Sequence, residues 1–221
     1  LLFIQNLTVQ FETDEGCITA VDGISLDIHP GQSWGLVGES GSGKSVTALS
    51  TLRLVPSPPA RPAGGAVFFQ GEDLLRMPIE RLRSIRGAGI SLIFQEPMTA
   101  LSPLHRIGDQ LIETLRFHRR INHRTARETA LDWMNKVGIP DPEARLSAYP
   151  HELSGGMRQR VMIAMALMLE PALVIADEPT TALDVTIQAQ ILDLMRAMRK
   201  SDTALLLITH DMGVIREMCT H

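Results

Sequence analysis

The chain has 221 residues, 44% of them hydrophobic, and a formal net charge of -4 at pH 7. This length and composition allow a substantial core within one domain, or one domain with a subdomain, and they exclude a disordered chain. The acidic balance argues against nucleic acid as the main partner, because the chain carries no overall basic field. The basic stretch 116–124 is interpreted as a solvated helix face, with phosphate contact as the less favoured alternative.

Cysteine spacing and apolar runs bear on the location of the protein. Cys17 and Cys219 lie at opposite ends of the chain, without metal-ligand or redox spacing, which favours a reducing cytosolic compartment. The longest apolar run, 161–169, is shorter than the roughly 18 residues expected of a membrane span. We therefore expect any membrane association to arise through partner proteins.

The amino-terminal part of the chain predicts a small β region followed by the start of an α/β core. Apolar and polar residues alternate in short stretches over 2–30, as they do in half-buried antiparallel strands. An apolar run at 33–37 predicts a buried strand, and 44–54 predicts a helix that ends before Pro56. The next elements are a strand, a helix and a strand, predicted at 66–69, 78–86 and 90–94.

Helical periodicity replaces the strand signals between about 103 and 169, interrupted by prolines near 140 and 150. Strand and helix then alternate again, as in parallel α/β folds. These last elements are a strand at 173–176, a helix at 185–199 and a strand at 204–208. The pattern predicts a helical subdomain inserted into an α/β core.

We expect one domain over 1–221. Its core and β subdomain comprise 1–95 and 171–221, and its helical subdomain comprises 96–170. The chain starts at Leu1 rather than Met, and it stops at His221 in or just after a helix. We therefore expect the carboxyl-terminal end of the domain to be missing.

The loop that follows the first buried strand matches the pattern G-x-x-x-x-G-K-[ST]. In such a loop the glycines let backbone N–H groups close on phosphate oxygens, and the lysine adds a positive charge near the terminal phosphates. The serine that follows the lysine is expected to ligate Mg²⁺. The predicted nucleotide-binding residues are Gly38, Ser40, Gly41, Ser42, Gly43, Lys44, Ser45 and Val46.

Two further segments narrow the class of protein, because kinases, GTPases and motor ATPases all use this loop. The segment 153–157 reads LSGGM and precedes an apolar helix. The apolar strand at 173–176 leads into Asp177 and Glu178, at the sheet edge where α/β folds bind ligands. Together with the phosphate loop, these segments resemble the ABC-type ATPases over almost the whole chain.

The resemblance implies an α/β fold with a P-loop NTPase core of ABC type, an amino-terminal antiparallel β subdomain and an inserted α-helical subdomain. It also implies ATP and Mg²⁺ as cofactors. Asp177 would help to hold the metal, and Glu178 would polarise the water that attacks the γ-phosphate. An acidic pair that only caps a helix is the alternative.

Three more positions match motifs of that family. Gln95 matches the Q-loop glutamine, which contacts the metal or the water and joins the core to the helical subdomain. His210 matches the switch histidine that contacts the γ-phosphate. Asp184 matches the D-loop, and capping of the following helix is a compatible second role.

The residues Ser154, Gly155 and Gly156 open an apolar helix, so their N–H groups and the helix dipole favour an anion. The resemblance implies that this anion is the γ-phosphate of ATP held by another subunit. Two subunits would then close head to tail around two ATP molecules and open after hydrolysis. Met157 stands where glutamine is commonest in the family, a departure that leaves the serine and glycine contacts intact.

The chain also resembles the ATPase subunits of dipeptide, oligopeptide and nickel importers in longer sequence segments, at 37–45, 94–98, 176–184 and 52–59. The resemblance implies a peripheral subunit, on the cytoplasmic face of the inner membrane, that hydrolyses ATP to power uptake of peptides or of a related small substrate such as nickel. Its partners would be a second ABC ATPase subunit, a permease pair and, indirectly, an extracytoplasmic binding protein. The alternatives are a soluble ABC ATPase acting on ribosomes or DNA, and a small-molecule kinase.

Overall fold

Two β-sheets organise the computed structural model, which describes residues 1–14, 16–96, 100–181 and 185–221, without the side chain of Val185. The strands are β1 (Leu2–Thr13), β2 (Gly16–Ile28), β3 (Ser33–Leu36), β4 (Ala60–Phe69), β5 (Glu72–Asp73), β6 (Ile90–Ile93), β7 (Leu173–Asp177) and β8 (Ala204–Ile208). One sheet has the order β2-β1-β4-β5 and the other has the order β3-β8-β7-β6. The first is antiparallel and the second is parallel.

The helices lie mainly between β6 and β7 and after β7. They are α1 (Lys44–Thr51), α2 (Ile79–Ile85), α3 (Ile107–His118), α4 (His123–Lys136), α5 (Pro142–Leu146), α6 (Gly155–Leu167), α7 (Val185–Met198) and α8 (Met212–Met218), with a short 3-10 turn at Pro150–Glu152. The architecture confirms the predicted fold class, with an α/β core, an antiparallel β region and inserted helices. The limits of the helical subdomain at 96 and 170 stay a prediction.

The antiparallel sheet forms where alternation predicted it, and β4 is longer than expected. β1 pairs with β2 on one side and with β4 on the other. Only 66–69 has the apolar character of a strand, yet pairing with β1 continues back to Ala60 opposite Phe11. Residues 61–65 are exposed, so backbone pairing rather than burial fixes their extended conformation.

The parallel sheet is buried on both faces, which explains its continuous apolar strands. Val174 and Ala176 of β7 pack into the hydrophobic cluster that includes the helices α3 to α7. Leu173 and Ile175 point the other way, into a second cluster shared with the antiparallel sheet. The strands predicted at 33–37, 90–94, 173–176 and 204–208 are confirmed as the four strands of this sheet.

Helix α1 ends at Thr51 and does not reach residue 54 as predicted. Arg53 has a left-handed backbone with φ 52°, and Leu54 N–H donates to Leu49 O at 2.9 Å. Arg53 N–H donates to Ser50 O at 3.0 Å, which completes a Schellman ending. A glycine marks such a helix end in a sequence, but an arginine does not, so the sequence gives no sign that the helix ends before Arg53. The prediction relied on the prolines downstream and placed the end of the helix too late.

Two further interpretations can be compared with the structure. The helical spacing of Met162, Met165 and Met168 predicts core packing rather than a soft-metal site. Met162 and Met168 are 2% and 1% exposed in the first cluster and Met165 packs against it, which confirms core packing. Among the described residues, no helix has both the length and the apolar character needed to cross a membrane.

Candidate nucleotide site

The phosphate-loop candidate connects β3 to α1 and packs against β2. Gly41 and Gly43 have φ angles of 82° and 87°, in the left-handed region that favours glycine. A Cβ atom on Gly43 would lie 2.2 Å from Ala20 O, whereas one on Gly41 would meet no described residue within 4 Å. Gly43 therefore permits the close approach of the loop to β2.

Lys44 folds back over this loop and is 8% exposed. Its ammonium group donates to Gly38 O at 2.8 Å, Glu39 O at 2.7 Å and Ser42 Oγ at 3.3 Å. The cation is therefore held at the concave side of the loop by oxygen acceptors. Phosphate oxygens are the ligands that such a cation and the free N–H groups of the α1 terminus favour.

Asp177 ends β7 and is 9% exposed. Burial is the main cause that raises the pKa of its carboxyl, and the neighbouring Glu178 charge adds to this, while Ser45 and Lys44 oppose it. Its Oδ1 atom is buried and has no hydrogen-bond partner within the described part of the chain. A buried, unpaired carboxylate oxygen beside a serine hydroxyl fits a hard cation such as Mg²⁺.

Glu178 follows in a left-handed conformation, with φ 45°, although it is not glycine. Such a backbone costs about 1–3 kcal/mol and is found where the surroundings fix it, commonly at functional sites. Its carboxylate accepts a hydrogen bond from Thr181 Oγ1 at 2.7 Å and one from Gln95 Nε2 at 3.4 Å. His210 Nδ1 lies 3.3 Å from its Oε1 atom.

The pKa of Glu178 moves in the opposite direction from that of Asp177. Partial burial, the largest single cause, raises it, but this is outweighed by the Thr181 and His210 hydrogen bonds and the charges of His210 and Lys44. The net result is a pKa below the usual range. The surroundings therefore shift the pKa values of two adjacent carboxyl groups in opposite directions, and Glu178 is ionised at neutral pH.

The predicted residues come together around one cavity of about 330 Å³. It is lined by Ala20, Ser40, Gly41, Ser42, Gly43, Lys44, Ser45, Val46, Gln95, Glu178 and His210. Gly38 contributes its carbonyl to Lys44, and Asp177 lies beside Ser45. Asp184, predicted as the D-loop residue, lies outside the described residues.

The segment LSGG occupies a different surface of the chain. Ser154 caps α6, and its Oγ accepts a hydrogen bond from Met157 N–H at 3.3 Å. Ser154 and Gly155 are exposed, and a Cβ on Gly155 would meet no atom of the described part of the chain within 4 Å. The described residues that line the cavity do not include Ser154, Gly155 or Gly156.

Sequence reasoning missed Ala20, Thr181 and Gln159. Ala20 supplies the backbone carbonyl that Gly43 approaches, and no sequence pattern signals that contact. Thr181 is a hydroxyl residue three positions after Glu178, a spacing typical of a side chain that hydrogen-bonds locally across a turn. Gln159 has a buried side-chain amide that donates a hydrogen bond to Pro179 O, next to Glu178. Only folding brings Gln159 close to this residue.

The fold and the cavity define a P-loop nucleotide-binding protein of the α/β class. The sequence model of the ABC transporter family matches residues 21–181. The chain therefore belongs to the ABC transporter family, as the motifs predicted.

Relatives among curated proteins include transport ATP-binding proteins. The dipeptide transport ATP-binding protein DppD of Bacillus subtilis (strain 168) is 52% identical over 219 residues, which are 99% of this chain and 65% of that protein. The oligopeptide transport ATP-binding protein OppD of the same strain is 47% identical over 216 residues, or 97% of this chain and 60% of that protein. The chain thus spans just under two thirds of the length of these relatives.

Solved structures with this fold include a dimeric ATP-binding cassette in a post-hydrolysis state, bound to ADP and Pi. It superposes with a TM-score of 0.86 at 28% identity, covering 99% of this chain and 91% of that one. A dimeric bacterial ABC transporter cassette superposes with a TM-score of 0.85 at 27% identity, with the same coverage. These matches confirm the fold.

Alanine substitution of the two left-handed glycines in the loop distinguishes the cost of backbone strain from the cost of a steric clash with β2. Gly43→Ala adds a clash with Ala20 O to the cost of a left-handed alanine, whereas Gly41→Ala adds the backbone cost alone. We expect Gly43→Ala to lose at least about 1 kcal/mol more unfolding free energy than Gly41→Ala in urea denaturation. Equal losses would show that the loop does not rest on β2 as described.

Proposed function

We propose that this chain binds ATP with Mg²⁺ and hydrolyses it. The carrying observation is the carboxylate of Glu178, which faces the phosphate-loop cavity together with Gln95 and His210. An anionic group placed there accepts a hydrogen bond from an attacking water molecule and polarises it. The loop and Lys44 are placed to hold the phosphates that the water attacks.

The side chains of the cavity divide the work. Lys44 binds terminal phosphate oxygens in exchange for its present carbonyl partners. Ser45 and Asp177 would hold Mg²⁺, which supplies charge neutralisation on the phosphates when bound. Gln95 and His210 contact Glu178 from two sides and orient its carboxylate toward the cavity.

We further propose that a second ABC ATPase subunit completes the site. Ser154 and Gly155 are exposed at the start of α6, away from the cavity of their own chain. A helix amino terminus with accessible N–H groups favours an anion, and the γ-phosphate of a facing subunit meets that requirement. The dimeric state of the solved relatives supports a pair of subunits, homodimeric or heterodimeric, and we propose that the two lie head to tail.

The names of the relatives support a proposal for the substrate class. The names dipeptide transport and oligopeptide transport ATP-binding protein support peptide uptake as the process that ATP hydrolysis powers. We propose that the chain acts at the cytoplasmic face of the inner membrane, on permease subunits served by an extracytoplasmic binding protein. Nothing in the names of these relatives favours the alternative of a soluble ABC ATPase acting on ribosomes or DNA.

Two variants test the catalytic assignment in the full-length protein. Glu178→Gln keeps the shape of the side chain but loses the anion, so ATP affinity should stay within about twofold while turnover falls at least about 100-fold. The variant should then accumulate as a closed dimer in light scattering with ATP. Lys44→Ala is the matched variant that removes a phosphate-binding group. It should weaken the affinity for ATP at least about tenfold in equilibrium binding measurements. Rapid turnover by Glu178→Gln would refute the proposed base.

The Thr181 hydroxyl offers a test by pH. Because its hydrogen bond lowers the pKa of Glu178, Thr181→Val should raise that pKa toward its usual value. Activity that requires ionised Glu178 is lost as pH falls through this pKa, so the acid limb of the kcat profile should move to higher pH. Thr181→Ser keeps the hydroxyl and should keep the wild-type profile. An unmoved acid limb in Thr181→Val would contradict the role assigned to the hydroxyl.

A further inference from the structure

A buried amide joins the LSGG helix to the backbone beside Glu178. Gln159 lies on α6 and is 1% exposed, and its Nε2 group donates to the backbone carbonyl of Pro179. Pro179 directly follows Glu178 and is itself buried. The helix that begins at Ser154 is thus hydrogen-bonded to the turn that carries the proposed catalytic carboxylate.

The turn at Glu178 has an unfavourable backbone conformation that hydrogen bonds to its surroundings stabilise. Glu178 is left-handed, its N–H donates to Ile208 O at 2.8 Å, and Thr181 N–H donates back to Glu178 O at 3.2 Å. Pro179 has no N–H group, so its carbonyl is the polar backbone atom available for fixing its position. Among the described residues, Gln159 is the donor to this carbonyl, and loss of a donor is unfavourable in a buried residue. The orientation of this turn therefore depends on Gln159.

The position of Gln159 on α6 places it close to the surface proposed for the partner. It lies three residues after Gly156, about 4.5 Å along the helix axis at 1.5 Å per residue. The next residue, Arg160, donates to Gln190 Oε1 on α7 at 2.9 Å and to Val137 O at 2.7 Å. Arg160 therefore ties α6 to α7 and to Val137, the residue after α4. Because a helix is stiff along its axis, a shift at the start of α6 moves Gln159 with it.

We propose that Gln159 is a positioning residue that makes the conformation of Glu178 depend on the nucleotide engaged at Ser154 and Gly155. This inference rests on the proposed function, in which that nucleotide belongs to the facing subunit. Each chain would then read the partner's ATP at the start of α6 and set its own Glu178 through Pro179. Turnover at each site would then require ATP at the other site, so the rate of hydrolysis should rise cooperatively with the ATP concentration.

The test uses the full-length protein and the variant Gln159→Met, which keeps the length of the side chain and removes the donor. We expect kcat for ATP hydrolysis to fall about tenfold and the Hill coefficient for ATP to fall from above 1 to about 1. The Kd for ATP of the separated subunit should stay within about twofold, because Lys44 and its loop are untouched.

Met162→Ala is the control for simple destabilisation. Met162 lies on the same helix, is 2% exposed and packs in the core, so its truncation loosens α6 without removing the Gln159 bond. It should lower the melting temperature at least as much as Gln159→Met and leave the Hill coefficient at the wild-type value. A loss of cooperativity in Met162→Ala equal to that in Gln159→Met would overturn the inference.

Other outcomes separate this inference from the proposed function. A Hill coefficient of 1 in the wild-type protein, or unchanged kcat and cooperativity in Gln159→Met, would contradict the coupling and leave ATP hydrolysis intact. A wild-type protein that binds ATP without hydrolysing it would contradict the proposed function itself.

Discussion

The site depends on the parallel pairing of β7 between β6 and β8. In this register Ile93 lies opposite Ala176, and Asp177 lies opposite Ile208, so neighbouring strands end at one edge of the sheet. The pairing of Leu36 with Ile208 brings the end of β3 to the same edge. The phosphate loop, Gln95, Glu178 and His210 each follow one of these four strands, and Asp177 is the last residue of β7. A displaced strand would remove its residue from the cavity, which is why burial of both faces of the sheet is a functional requirement.

At that edge, two consecutive carboxyl groups are placed in contrasting environments. Asp177 ends the strand inside the fold, where burial favours its neutral form until a cation compensates the charge. Glu178 turns out of the strand in a left-handed conformation, and hydrogen bonds and nearby positive charge favour its anion. The change from the extended backbone of Asp177 to the left-handed backbone of Glu178 supplies this contrast. One position is suited to holding metal and the other to acting on water.

The sequence predicted the parts of the fold that carry strong local signals. Buried parallel strands read as apolar runs, and Gly43, Lys44 and Ser45 belong to a loop whose backbone conformation demands its residue types. The extension of β4 back to Ala60 was missed because those residues are exposed and are held by pairing with β1. The early end of α1 was missed because Arg53 takes a conformation usually left to glycine.

The same distinction holds within the site. Gln95, Glu178 and His210 were predicted from motif resemblance, and the structure brings all three to one cavity. Gln159 escaped notice because its partner is a backbone carbonyl twenty residues away, an atom with no side-chain signature. Residues that touch a ligand leave patterns in sequence, whereas residues that position them through the backbone are found from the fold.

The central claim is that this ATP site drives a membrane permease through its cycle of closure and opening. The most direct measurement is a pull-down of the tagged full-length protein from detergent-solubilised membranes of its own cell, with partners identified by mass spectrometry. The account predicts a second ABC ATPase subunit or a second copy of this protein, together with permease subunits. Recovery of ribosomal proteins or DNA-bound factors without a permease would contradict it.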